Sequence, residues 1–217
     1  MKQIAVVLAG CGFKDGSEIT EAVSTLISLS EFGVEYQCFA PHLEIEAKNN
    51  ITNTEMGQKR NVLIEAARIS RGQIKDIREL KSEEFDGLVF PGGFGVATHL
   101  CNFAQKGSKA EVHPEVSRVI QSFHAESKPI CAICIAPSLL ALTLGKEGVT
   151  LTLGDDPETI QEIIKTGAQH EECPVEDFVT DRQHKIVTTP AYMYGKAKPY
   201  QVFKGIRAAL QEFVEMA

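Results

Sequence analysis

The sequence predicts an α/β three-layer sandwich with a mainly parallel sheet, on three observations. Strand-length apolar runs alternate with amphipathic helical patterns along all 217 residues. The clearest strands are unbroken apolar runs, the mark of strands buried on both faces. Several of them stop abruptly at turns rich in glycine or proline. Right-handed crossovers then put helices on both faces of the sheet. No repeat, low-complexity segment or linker interrupts the alternation, so residues 1–217 are expected to form a single domain. The chain is 43% hydrophobic and 24% charged, as in ordinary globular proteins.

The first strand is Ile4–Leu8, closed by Ala9-Gly10-Cys11-Gly12. Asp15 and Glu18 have capping-box spacing, and Ile19, Ala22, Val23, Leu26 and Ile27 form the apolar face of the next helix. Gly33 ends that helix, and Val34–Phe39 is the second strand. Asn49–Arg60 is polar and reads as a surface excursion that could lid a site or form an interface. A short helix over Val62–Ile69, a strand near Gln73–Ile77 and a polar helical turn at Glu79–Glu84 follow. Asp86–Phe90 is a strand stopped by Pro91-Gly92-Gly93-Phe94-Gly95. Helices are expected near Val96–Phe103 and over His113–Ala125, the latter with Val116, Val119, Ile120 and Phe123 inward. Beyond the central segment come a strand at Val149–Leu153, a helix over Pro157–Lys165 capped by Asp156, and a strand at Lys185–Thr189. An amphipathic helix over Tyr200–Glu215 closes the chain.

The central segment, Lys128–Ala141, carries the strongest chemical signal. Pro129 and the run Ile130–Ile133 read as a strand, and helical spacing begins within three residues of Cys134, with Pro137 suited to a first helical turn. A residue between strand end and helix start is pushed out on a sharp turn, the geometry of a nucleophile elbow. A helix N-terminus there favours a thiolate. Cysteines are also common inert core residues, and Cys131-Ala-Ile-Cys134 resembles a redox pair. A strand, however, carries i to i+3 over roughly 10 Å, beyond the ~7 Å Cα separation a disulfide tolerates. Cys131 is therefore read as core and Cys134 as the exposed member.

In doubly wound sheets, sites form at the carboxyl ends of strands. If the first, third and central strands are neighbours, Gly10-Cys-Gly, Pro91-Gly-Gly and Cys134 converge. The N–H groups of Gly93 and Ile135 could then form an oxyanion hole beside the sulfur. Glu18 is either a helix cap or an acid aimed at the elbow, where a carboxyl beside a thiolate must share a proton. The six histidines, His42, His99, His113, His124, His170 and His184, include none directly after Cys134, and no His-x-Glu accompanies His170 or His184. No cluster has metal-ligand spacing, and no dinucleotide fingerprint follows the first strand. No metal and no cofactor are expected.

A net charge of −7 argues against unspecific nucleic-acid binding, and no apolar run is long enough to span a membrane. The N-terminus reads as a first strand rather than a signal peptide. The six cysteines look like reduced thiols, which favours a cytoplasmic location.

Five motifs in order resemble one family: Leu8–Ile19 (LAGCGFKDGSEI), Asn61–Ile69 (NVLIEAARI), Pro91–Gly95 (PGGFG), Cys134 in ICIAP, and Lys185–Met193 (KIVTTPAYM). They resemble the ElbB-type proteins, also called enhancing lycopene biosynthesis proteins or isoprenoid biosynthesis glyoxalases. These belong to the class I glutamine amidotransferase-like superfamily, on the branch with the PfpI proteases and the Parkinsonism-associated deglycase. The resemblance runs nearly end to end. It implies a flavodoxin-like sandwich, often a homodimer, with Cys134 as nucleophile, Glu18 as its acidic partner, and Gly93 and Ile135 as oxyanion donors. It also implies a cofactor-free glyoxalase activity on small dicarbonyls, converting methylglyoxal or glyoxal to lactate or glycolate. Ile135 stands where the wider superfamily has histidine, which argues against protease and amidotransferase chemistry and implies slow turnover. The competing readings are a non-enzymatic cysteine redox sensor or binding protein, and a degenerate amidotransferase-like subunit.

Overall fold

A computed structural model describes residues 1–217. Its core is a seven-stranded sheet made by β1 (Gln3–Val7), β2 (Glu35–Ala40), β5 (Ile74–Asp76), β6 (Gly87–Phe90), β7 (Ile130–Ile133), β10 (Val179–Asp181) and β11 (Ile186–Thr189). The spatial order is β10-β11-β7-β6-β1-β2-β5, and every pairing is parallel except β10 with β11. The strands whose turns carry the motifs, β1, β6 and β7, are direct neighbours.

Alternation along these strands divides the core into two layers. Ala5, Val7, Leu88, Phe90, Ile130 and Ala132 face one side, where α4 (Pro114–Ala125) and α5 (Pro137–Leu144) pack. Ile4, Val6, Val89, Cys131, Ile133 and Val187 face the other, covered by α1 (Ile19–Glu31) and α7 (Pro199–Met216). Both layers are therefore dry, and the strands read as solid apolar runs. On α4, Val116, Val119, Ile120 and Phe123 are buried, and on α7 Val202, Ile206, Ala209, Leu210 and Phe213 are.

Several elements depart from the sequence reading. Residues 44–61 form an antiparallel hairpin, β3 (Glu44–Lys48) with β4 (Glu55–Asn61). Cross-strand pairing and the Asn49 turn hold it. β3 buries Ile45 and Ala47, but β4 is exposed along most of its length, so hydropathy gave no signal for the second strand. It leads into α2 (Val62–Ala66), shorter than the apolar spacing suggests, because turns follow Ala66. The helix expected near residues 96–103 is a wide π-type turn over Val96–Leu100, followed by α3 (Phe103–Lys106). Val149–Leu153 does not join the main sheet: β8 (Thr150–Leu151) pairs only with β9 (Gln169–His170), ahead of and behind α6 (Pro157–Ile164). Asp156 caps α6, and Pro157 opens it.

The largest departure is in α1. Its buried face is Glu21, Ala22, Ser24, Thr25, Ser28 and Leu29, and Ile19, Val23 and Ile27 stand 39–52% exposed. The small side chains let α1 lie close against α7 and the sheet, and they turn one carboxylate inward. The capping box expected from Asp15 is also absent. Glu18 is the N-cap, and Asp15 accepts instead from Lys48 N–H at 2.7 Å, tying the hairpin to the first turn.

Candidate active site

The site is built where three turns meet at the carboxyl ends of β1, β6 and β7. Backbone hydrogen bonds knit them together. Glu18 N–H donates to Gly92 C=O at 2.9 Å, Phe94 N–H to Phe13 C=O at 2.7 Å, and Gly95 N–H to Gly16 C=O at 3.1 Å. Ser17 closes the first turn by accepting Ala9 N–H on its hydroxyl at 2.8 Å. Cys134 N–H donates to Thr189 C=O at 2.9 Å, which brings the end of β11 to the same place.

Cys134 has φ = 62°, left-handed backbone that costs a non-glycine residue of the order of 1–2 kcal/mol. This is the elbow. The chain leaves β7, reverses hand at Cys134, and enters α5 with Pro137 in its first turn. Cys131, three residues earlier, is inside β7 and wholly buried, and all six cysteines are free. The Cys134 side chain turns toward α1 and is only 7% exposed, against the expectation of an exposed thiol.

The carboxylate beside it is Glu21, not Glu18. Glu18 Oε2 accepts from Glu21 N–H at 2.7 Å as the helix cap, so its carboxylate is committed to the start of α1. Glu21 lies one turn further along, with no solvent exposure. Its Oε1 accepts from Tyr192 N–H at 3.1 Å, and its Oε2 lacks a full hydrogen-bond partner while facing the Cys134 thiol and Gly92 N–H. Gly92 permits this approach: a Cβ there would collide with Cys134 Cβ and Glu21 Oε2. Gly93 is at φ = 110°, and a Cβ on it would run into the Gly16–Glu18 backbone. Tyr192 follows Ala191, itself left-handed at φ = 45°. Neither Tyr192 nor Glu21 was singled out by sequence pattern. The available signal was the small-residue stripe Ala22, Thr25, Ser28, which shares Glu21's face.

Burial and the neighbouring Glu18 push the Glu21 carboxyl up to about 8, despite the N–H groups that oppose the shift. At neutral pH Glu21 is therefore mostly a neutral acid. Burial, and after it any charge on Glu21, pushes the Cys134 thiol well up, and the N–H groups of Gly93 and Ile135 pull the other way. The two donors expected from sequence do point at the sulfur. The expectation that the helix end alone would favour a thiolate fails, because desolvation outweighs it. Protonation of Glu21 removes its charge from beside the sulfur and supplies a donor instead, so at neutral pH the resting pair is a carboxylic acid beside a thiol.

No histidine joins them. His170 Nε2 accepts from Leu153 N–H at 3.2 Å. His184 Nδ1 meets Asp181 Oδ2 at 2.7 Å on the β10–β11 turn, and the pairing of Ile186 with Ile130 puts that turn at the amino end of β7. No group of three or more His, Cys, Asp or Glu side chains could hold a metal ion. No helix is long and apolar enough to cross a membrane.

Residues 4–194 match the DJ-1/PfpI family. The chain belongs to that family. It is 40% identical over 227 aligned residues to the human glutamine amidotransferase-like class 1 domain-containing protein 3, mitochondrial, covering 99% of this chain and 83% of that one. The zebrafish (Danio rerio) ES1 protein, mitochondrial, is 31% identical, with 98% and 85% covered. The crystal structure of an isoprenoid biosynthesis protein with amidotransferase-like domain from Ehrlichia chaffeensis superposes with a TM-score of 0.93 at 36% identity, covering 100% of this chain and 99% of that one. Within the DJ-1/PfpI family the chain therefore stands with the ElbB/ES1-type members, and its mostly parallel, helix-flanked sheet is the family's flavodoxin-like fold.

Proposed function

We propose that the protein is a cofactor-independent glyoxalase that converts methylglyoxal or glyoxal to lactate or glycolate. The observation that carries this reading is the buried Glu21 carboxyl, uncharged near pH 7, facing a left-handed cysteine at whose sulfur two backbone N–H groups are aimed. Such a site has a nucleophile, an acid/base and an anion nest, but no imidazole to protonate a leaving amine.

The Cys134 sulfur adds to the aldehyde carbon of methylglyoxal as its thiol proton passes to Glu21, in the fraction of molecules where that carboxyl is ionised. The carbonyl π electrons move to oxygen, which takes that proton back from Glu21 to give a hemithioacetal. Gly93 and Ile135 N–H groups hold the oxyanion as it develops. Glu21, now ionised, takes the proton from that carbon and passes it to the ketone oxygen, giving an enediol, and then carries the proton of the first carbon's hydroxyl to the second carbon. The first carbon has been oxidised to a thioester and the second reduced to an alcohol, so no external oxidant or reductant is needed. Water cleaves the thioester, releasing lactate and restoring the thiol. The near-complete burial of Cys134 and the absent histidine both favour slow turnover.

The test is lactate formation from methylglyoxal by the wild-type protein beside Cys134→Ser. Turnover is expected in the wild type and loss of at least about a thousandfold in the variant. Methylglyoxal consumed without lactate, or Cys134 oxidised stoichiometrically with no product, would replace the glyoxalase reading with a redox or binding role.

A further inference from the structure

An open cleft of about 450 Å³ adjoins the elbow. Phe94, Ala97, Phe103 and Ile135 make an apolar wall for it, and α3 and the start of α6 close its other sides. Two of these residues are tied to the sulfur through the backbone. Ile135 contributes one of the N–H groups aimed at Cys134, and Phe94 follows Gly93, which contributes the other. Cys134 does not itself line the cleft; the residues that follow Cys134 and Gly93 in the chain do. The volume suits molecules much larger than a three-carbon aldehyde. Phe94 is 48% exposed, a large aromatic at the cleft edge that no other side chain covers with a ring contact.

We propose that this cleft seats an apolar substituent of the substrate, so that the preferred substrates are 2-oxoaldehydes carrying an aromatic or branched-alkyl group in place of the methyl of methylglyoxal. The proposal rests on the glyoxalase reading and adds the substrate class. The reacting aldehyde sits at Cys134, and the ketone substituent extends past Ile135 toward Phe103. Apolar pockets separate substrates by about ten- to two-hundredfold per methylene, so a ring is expected to be read strongly.

The experiment compares kcat/KM for phenylglyoxal and methylglyoxal in the wild type and in Ala104→Trp. Ala104 is an exposed residue of α3 that lines the cleft, so an indole there fills the cleft without entering the core. Taking the phenylglyoxal-to-methylglyoxal ratio cancels the intrinsic reactivities of the two aldehydes. The ratio is expected to fall about tenfold or more in the variant. Phe94→Ala, a truncation at an exposed position, is expected to lower it in the same direction by removing the aromatic wall. If both aldehydes are turned over and neither substitution moves the ratio by more than about twofold, the cleft proposal is overturned and the glyoxalase reading stands. If the wild type turns over neither aldehyde, both fall.

Discussion

The two ends of the central sheet treat their ionisable groups in opposite ways. At the amino end, Asp181 accepts Thr150 N–H at 2.8 Å, His184 N–H at 3.0 Å and the His184 ring at 2.7 Å. Close by, His124 meets Glu147 at 2.9 Å, with its ring 6.0 Å from that of His184. Burial pushes Asp181 up, but these donors outweigh it and hold the carboxylate below its usual range. At the carboxyl end, Glu21 is more deeply buried, has one carboxylate oxygen short of a partner, and is pushed up to about 8. Its neighbour Cys134 sits in a strained backbone conformation. A satisfied charge cluster fastens elements together, whereas an unsatisfied one holds a proton ready to move.

The largest expected effect tests that contrast at the carboxyl end. Glu21→Gln keeps the shape and the contact from Tyr192 N–H but cannot exchange a proton. Lactate formation is expected to fall about a thousandfold, within the range for loss of a general acid/base. Glu18→Gln is the matched control one turn earlier. Its carboxylate caps α1, so it is expected to cost stability, with kcat within about fivefold of wild type. Equal losses from the two substitutions would mean that the helix start, rather than the proton on Glu21, governs the site.

Stability against pH gives the next effect. The native Glu21 carboxyl keeps its proton up to about 8, against an ordinary value of 4.5. Between these values the native state binds more protons than the unfolded chain, so stability falls as pH rises, by about 1.4 kcal/mol per unit from this group alone. Below the window both states are protonated and the penalty vanishes. Urea unfolding of wild type and Glu21→Gln between about pH 5 and pH 8 should show the variant gaining on the wild type by a few kcal/mol across the window. Parallel curves would mean that Glu21 is ionised in the fold.

Much of this arrangement was legible in the sequence. Solid apolar runs at residues 4–8, 86–90 and 130–133 specify buried parallel strands, and the turn residues after them mark the rim where sites form. Cys134, Gly93 and Ile135 follow from local chain direction alone, because backbone N–H groups go where a tight turn sends them. Glu21 could not be found that way. Hydropathy placed Ile19, Val23 and Ile27 inward, whereas the close approach of α1 to α7 selects the stripe of small residues and carries Glu21 in with it. The outer strand β4 of the hairpin escaped because it is held by pairing rather than burial. The β10–β11 turn escaped because its order depends on Asp181 meeting groups from distant segments.

That last point supplies the smallest effect. Asp181 is 8% exposed and carries three interactions on two oxygens, so Asp181→Ala leaves the Thr150 and His184 N–H groups without their acceptor. The cost expected is about 2 kcal/mol, the penalty for stranding buried donors. Because the cluster is at the far end of β7 from Cys134, lactate formation at a temperature where both proteins are folded should stay within about twofold of wild type. The wild-type advantage should also shrink as pH falls. A native carboxylate held below its ordinary pKa contributes stability above the unfolded value and loses it as the native group protonates. Glu21 changes in the opposite sense, so the two ends of the sheet should give stability differences of opposite slope. If Asp181→Ala also removed activity, the two ends would be coupled through β7 and β11, and a division into a fastening end and a reacting end would not hold.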